Sequence, residues 1–186
     1  MRIKGFGEEH ERTAESYRHR GALQYAMHEY TLALQSHQRA LAIRIKVFGE
    51  EHERTSDSNW EVGVTQYAMH DYTSALQSYK RALAIRIKVF GEELERTADS
   101  YFNLGATQYQ MHDYTSALQS HQRALAIRIK VFGEEHEETA DSYFNLGATQ
   151  YAMHDYTSAL QSHQRALAIR IKVFGEEPEG TADSYW

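Results

Sequence analysis

Eleven histidines and 26 acidic side chains in 186 residues are the groups of this chain that could hold a metal ion or move a proton. Seven of the histidines form two series: His28, His70, His112 and His154, and His37, His121 and His163. Within each series the spacing is 42 residues or a multiple of it. Zinc needs its ligands within about 2 Å of one ion. Equivalent residues of stacked helices stand about 8–10 Å apart or more. A repeated residue therefore gives a ladder of like groups rather than a convergent site. The chain has no HExxH and no cysteine, which removes the zinc-peptidase helix and thiol chemistry. Its Gly-Glu-Glu-His turns lack the Asp-x-Asp-x-Asp-Gly order of a calcium loop. Its glycines are solitary, not gathered into a phosphate loop. Serines such as Ser116 and Ser120 recur near His121, but on one helix surface they are no triad. The sequence thus predicts no catalytic residue, no metal and no cofactor. It predicts that partly buried, neutral helix histidines would destabilise the fold when protonated, below about pH 6.

The period that scatters these groups is the organising feature. Gly-Glu-Glu begins at Gly7, Gly49, Gly91, Gly133 and Gly175. The 42-residue repeats from Gly91 and Gly133 differ only at Leu94/His136, Arg96/Glu138 and Gln110/Ala152. A fixed period of this size marks a solenoid or an array. Each repeat then need only pack on its neighbours.

Within the repeat from Gly91, Ala98, Tyr101, Leu104, Gln108 and Met111 step by three or four, the spacing of one helix face. Gly105 lies inside this run. A glycine there costs about 1 kcal/mol against alanine, so close approach of a neighbouring helix is its expected reason. His112-Asp113 breaks the pattern, with Asp113 as N-cap. A second pattern runs through Tyr114, Ala117, Leu118, His121, Ala124, Leu125, Ile127, Val131 and Phe132. It stops at Gly133, expected as a left-handed C-cap. Glu92, Glu93 and Glu95 precede the first helix, and Arg128 and Lys130 close the second, as helix dipoles favour. The only proline, Pro178, falls in a turn. Each repeat is thus a helix A of about 15 residues and a helix B of about 19, roughly 22 and 28 Å long. Short loops make neighbours antiparallel. The expected domain organisation is one array over 1–186. Repeats cover about 12–48, 54–90, 96–132 and 138–174, with a helix-B stub at 1–6 and a helix-A stub at 181–186.

These positions resemble the tetratricopeptide repeat. Tyr101, Leu104-Gly105, Tyr109, Asp113-Tyr114, Ala117 and Ala124-Leu125 carry the signature. It returns at Tyr143, Leu146-Gly147, Asp155-Tyr156, Ala159 and Ala166-Leu167. The 42-residue length, with GEEH before helix A and RALAIR in helix B, resembles the longer repeats of kinesin light chains and nephrocystin-type arrays. The usual proline after helix B is missing, and the first two repeats drift further, with Arg20 for Leu and Asn59 for Tyr. The resemblance implies an all-α fold, a right-handed α-solenoid of antiparallel helix pairs wound into a superhelix.

In the resembled family the A helices line a concave face that binds peptides. Carried over position by position, the expected groove has an acid near the start of each A helix: Glu15, Asp57, Asp99 and Asp141. Arg18, Trp60, Phe102 and Phe144 follow three residues on. Beside them are His19, Glu61, Asn103 and Asn145, and further along Tyr25, Tyr67, Tyr109 and Tyr151. An Asn pair can grip a peptide backbone by donor and acceptor. Aromatics supply large contact area. The family's carboxylate clamp uses a lysine where this chain has Phe102 and Phe144, so an apolar or basic peptide segment is the expected ligand. Trp186 ends the aromatic series.

The expected function is a non-enzymatic protein-interaction scaffold for a peptide or protein partner. The alternative is a structural, self-assembling or consensus-like array without an evolved ligand, its exposed ends stacking head to tail. The net charge of −6 and pI near 6.0 give no footprint for nucleic acid. No apolar run approaches the roughly 18 residues of a membrane span, and MRIKGFGEEHERT has no signal-peptide core. Lack of cysteine suits a reducing compartment, so a cytoplasmic location is expected.

Overall fold

A computed structural model describes residues 10–175. They form eight helices: α1 (Glu11–Ala26), α2 (Tyr30–Phe48), α3 (Glu53–Ala68), α4 (Tyr72–Phe90), α5 (Glu95–Gln110), α6 (Tyr114–Phe132), α7 (Glu137–Ala152) and α8 (Tyr156–Phe174). There is no strand among the described residues. The A helices are 16 residues long and the B helices 19, and each A helix starts a little earlier than its apolar pattern does. The expected stubs at 1–6 and 181–186, Pro178 and Trp186 lie outside the described residues.

The chain divides into two compact blocks, Met1–Val89 and Phe90–Trp186. In the first, α2 packs on both α1 and α3. In the second, α6 packs on α5 and α7, α7 packs on α8, and the A helices α5 and α7 touch. The fold is all-α, built of the helix pairs that make solenoids.

The caps show why the helices start and stop where they do. His10, His52 and His136 are N-caps, and each Nδ1 accepts from the backbone N–H two residues on, at 3.1–3.2 Å. His52 and His136 also stack on Phe48 and Phe132, with centroids 4.5 Å apart. Leu94 occupies the same place before α5 and makes no side-chain cap. Asp113 and Asp155 cap α6 and α8 through Ser116 and Ser158.

One turn expectation is corrected. Gly133 has φ 93° and ψ 172°. That is an extended, mirror-image conformation open essentially only to glycine, not the left-handed helical one. The residues that take φ of 60–64° are His28, His70, His112 and His154 in the A–B turns. Each of these rings lies 2.7–2.9 Å from the hydroxyl of the tyrosine two residues on, which holds the turn.

The core is made of small side chains. Ala98, Ala117, Ala124, Ala140 and Ala166 are fully buried, as are Thr97, Ser100, Thr107, Thr139, Ser142 and Thr149. Hydroxyls buried in helices bond back to carbonyls four residues earlier, as Thr107 does to Asn103 and Ser142 to Glu138. Such residues let helix backbones approach closely, and glycine carries this furthest. A Cβ on Gly105 would lie 2.7 Å from the His121 ring, and one on Gly63 would lie 2.9 Å from Tyr79. Close approach is therefore the reason for the internal glycine. The partner is the B-helix side chain sixteen residues on, His37, Tyr79, His121 or His163 in the four repeats.

Candidate functional site

The acid and the aromatic of α3, α5 and α7 meet a residue absent from the expected groove: the second arginine of RALAIR. Arg128 is a B-helix side chain only 5% exposed. It donates to Asp99 at 3.2 Å, to Ser142 Oγ at 3.0 Å and to the Glu138 carbonyl at 3.0 Å. It also pairs with the Glu138 carboxylate at 2.6 Å. Its guanidinium lies 4.5 Å from the Phe102 ring centroid. A buried cation needs such a set of hydrogen bonds and opposite charge to offset its lost hydration. Because Asp99 and Phe102 belong to its own repeat and Ser142 and Glu138 to the next, Arg128 ties one repeat to its successor.

The same residue recurs. Arg86 pairs with Asp57 at 3.2 Å and lies 5.9 Å from the Trp60 ring. Arg170 pairs with Asp141 at 2.9 Å and lies 5.1 Å from Phe144. Arg44 donates to Glu15 at 2.8 Å and to Ser58 at 2.9 Å. Asp57, Trp60, Asp99, Phe102, Asp141 and Phe144 are thus engaged by the chain's own cation. The sequence reading gave Arg128 only a helix-end charge. The signal was present: Ala117, His121, Ala124 and Arg128 step by four, three and four, so the arginine continues the buried stripe.

In the first repeat an arginine stands where the ring should be. Arg18 pairs with Glu15 at 2.5 Å and reaches Glu61 at 3.4 Å. Glu61 is largely buried. Desolvation raises its carboxyl to about 7, against the opposing pull of Arg18. Two cations here draw in Glu11, Glu15 and Glu61, whereas Phe102 needs none of them.

The asparagines behave differently from the acids. Asn103 and Asn145 are half-buried, and each donates Nδ2 to the carbonyl four residues back, Asp99 at 2.8 Å and Asp141 at 2.9 Å. Each keeps its second N–H and its Oδ1 unbonded. The tyrosines lie towards the A–B turns, where Tyr67, Tyr109 and Tyr151 meet Tyr72, Tyr114 and Tyr156 edge to face at 5.3–5.4 Å. Acid, aromatic and asparagine are brought together near the start of each A helix, and the tyrosine is held two turns away.

Of the B-helix histidines, His37 and His121 are buried and His163 is half-buried. His121 is 1% exposed, and its ring meets Phe102 edge to face at 5.9 Å. Burial, helped by the charge of Arg128, lowers it to about 4. Burial lowers His37 and His163 as well. Among the described residues, no three His, Cys, Asp or Glu side chains come together to hold a metal. No described helix is long and apolar enough to cross a membrane.

Paired helices stacked through buried cross-repeat contacts define a helical-repeat protein. The chain belongs to the tetratricopeptide repeat family, which it matches over residues 12–88, 55–130 and 96–172. Among curated proteins none matches closely enough to be called a relative. Solved structures show the same fold. BtubC (BKLC) from P. vanneervenii is 24% identical with a TM-score of 0.84, over 95% of this chain and 70% of that one. A kinesin light chain-like protein of Podospora anserina, with nearly identical TPR-like repeats, is 19% identical with a TM-score of 0.82, over 95% and 83%. A Rap protein complexed with competence and sporulation factor is 22% identical with a TM-score of 0.66, over 84% and 42%.

Proposed function

We propose that this chain is a non-enzymatic cytoplasmic scaffold that holds an extended peptide of a protein partner along its A helices. The observation that carries the reading is the Asn103/Asn145 pair. Two amides stand at one register of the touching helices α5 and α7, each with a donor and an acceptor still free. An amide ladder of this kind suits a peptide backbone, which offers both groups at every residue. Phe102 and Phe144 flank it with apolar surface, and Asp99 and Asp141 with carboxylates already paired to Arg128 and Arg170. That pairing favours apolar over basic side chains in the peptide. The Rap protein bound to competence and sporulation factor is a precedent of the same fold.

A peptide-display selection against the chain tests this. Phe102 and Phe144 also cover Arg128 and Arg170, so alanine there would disturb the fold. The control is Asn103→Ser with Asn145→Ser, at positions whose only side-chain bond is local. Peptides enriched on the parent and lost on this helical variant would support the groove. Equal enrichment on both would exclude it.

End-to-end self-association is the second reading. Tyr151, Tyr156 and Leu160 are 63%, 56% and 59% exposed, an apolar flank on the last described repeat. Mass that rises with concentration, and falls back in Leu160→Glu, would favour it over the groove.

A further inference from the structure

The repeat position held by Tyr17, Tyr101 and Tyr143 is Asn59 in the second repeat. The three tyrosines are half-buried, and so each fills space beside its helix. Asn59 is 5% exposed yet lines a cavity of about 390 Å³ within the first block. Leu41 and Ile45 of α2 and Ala84 and Ile85 of α4 line it with apolar surface, and Thr55, Arg81, Glu50 and Glu51 complete the lining. That volume lies within the range of about 300–1,000 Å³ typical of small-molecule sites. A gap left by a missing ring in a close-packed array loses the contacts that ring would have made. The Asn59 amide donates Nδ2 to the Thr55 carbonyl at 2.9 Å. Its Oδ1 makes no hydrogen bond, so a free acceptor lies beside a slot that lacks its aromatic side chain.

We propose that this cavity is a binding site for a small phenolic ring. The ring takes the place of the absent tyrosine between Leu41/Ile45 and Ala84/Ile85, and its hydroxyl donates to Asn59 Oδ1. Apolar side chains beside a free acceptor favour a phenol over benzene, which leaves the acceptor unpaired, and Glu50 and Glu51 in the lining, with Oδ1, disfavour a carboxylate. The site lies between α2, α3 and α4 and shares no residue with the asparagine ladder of α5 and α7.

The test is 19F NMR of 4-fluorophenol titrated with the full chain, beside N-acetyl-tyrosinamide as a tyrosine side chain on a peptide unit. The expected result is saturable one-to-one binding with a Kd on the order of 1 mM, reasonable for so few heavy atoms. Asn59→Tyr refills the slot and should weaken binding more than about tenfold while the helical content is kept. Asn59→Leu keeps space but removes the acceptor and should weaken it about fivefold. Tyr143→Asn should open a second site and raise the stoichiometry to two. Binding by either probe that follows this pattern supports the site, and the probe that binds tells a free phenol from a partner's tyrosine. No binding at about 10 mM probe, several times the expected Kd, or binding unchanged by Asn59→Tyr, overturns it.

Discussion

Helices α6 and α8 carry the same nineteen residues, YTSALQSHQRALAIRIKVF, in different surroundings. α6 is packed between α5 and α7. No described helix follows α8. Leu118 is half-buried in α6, whereas Leu160 is exposed in α8. His121 is fully buried, and its counterpart His163 only partly so. The same holds one turn back in sequence: Tyr109 is half-covered and Tyr151 stands out in solvent. The helix itself is a local product of its sequence. How much water a given side chain sees is set by the repeat that follows it, as expected where stability is a sum of repeat and neighbour-interface contributions.

The largest effect is expected where an inner repeat is cut from its neighbour. Arg128→Ala removes a buried cation that joins Asp99 and Phe102 to Ser142 and Glu138. It should cost about 3 kcal/mol in urea unfolding. Arg128→Lys should recover little of this, since one ammonium cannot reproduce the fork. A loss below about 0.5 kcal/mol, the range of an ordinary surface change, would show that the arginine does not tie the repeats.

Next come the glycines under the histidines. Gly105→Ala should destabilise by about 2 kcal/mol, because its Cβ would lie 2.7 Å from the His121 ring. Gly147→Ala meets His163 at 2.9 Å, and that ring is only half-buried. Its cost should be about 1 kcal/mol or less, since helix propensity favours the change by a similar amount. Equal losses at the two sites would remove the distinction between inner and outer repeats.

Acid should separate the same pair more gently. An unfolded histidine titrates near 6.5, and folded His121 near 4. The native state then binds fewer protons across that window. The stability His121 supplies is complete above about pH 6.5 and is lost as pH falls towards 4. Between pH 7.5 and 5.5 the His121 share of the change should be a loss of about 1.4 kcal/mol, read as the difference between the parent and His121→Tyr. His121→Tyr should flatten it, because Tyr79 already fills this position over Gly63. Glu61 acts with the opposite sign. Its raised carboxyl is protonated when folded between about 4.5 and 7, so acidification through that range favours the first block. Glu61→Gln should raise the midpoint at pH 7.5 and leave it unchanged at pH 4.5.

The smallest effect should not distinguish the two helices at all. Asp113→Ala and Asp155→Ala each remove one N-cap bond, to Ser116 and Ser158. The two losses in melting temperature should match, because a cap is local. Unequal losses would mean that the difference between α6 and α8 reaches into the helices themselves.

The sequence by itself determined the period, the eight helices, the break at Asp113 and the need for glycine at 105. Each follows from spacing along the chain or from the steric demands of one residue. It also placed acid, aromatic and asparagine near one another on the A helices. It did not reveal Arg128 beneath Phe102, nor the cap made by His136, nor that Gly133 takes an extended mirror-image turn. Charge alone reads as solvent-facing, and only its position on the Ala117–His121–Ala124 stripe hints otherwise. Tertiary structure decided which of two identical histidines is desolvated, which carboxylates are already paired and where a missing tyrosine leaves a cavity. Those depend on what the next repeat brings within a few ångströms, and a side chain's charge, hydration and room to move are fixed at that distance.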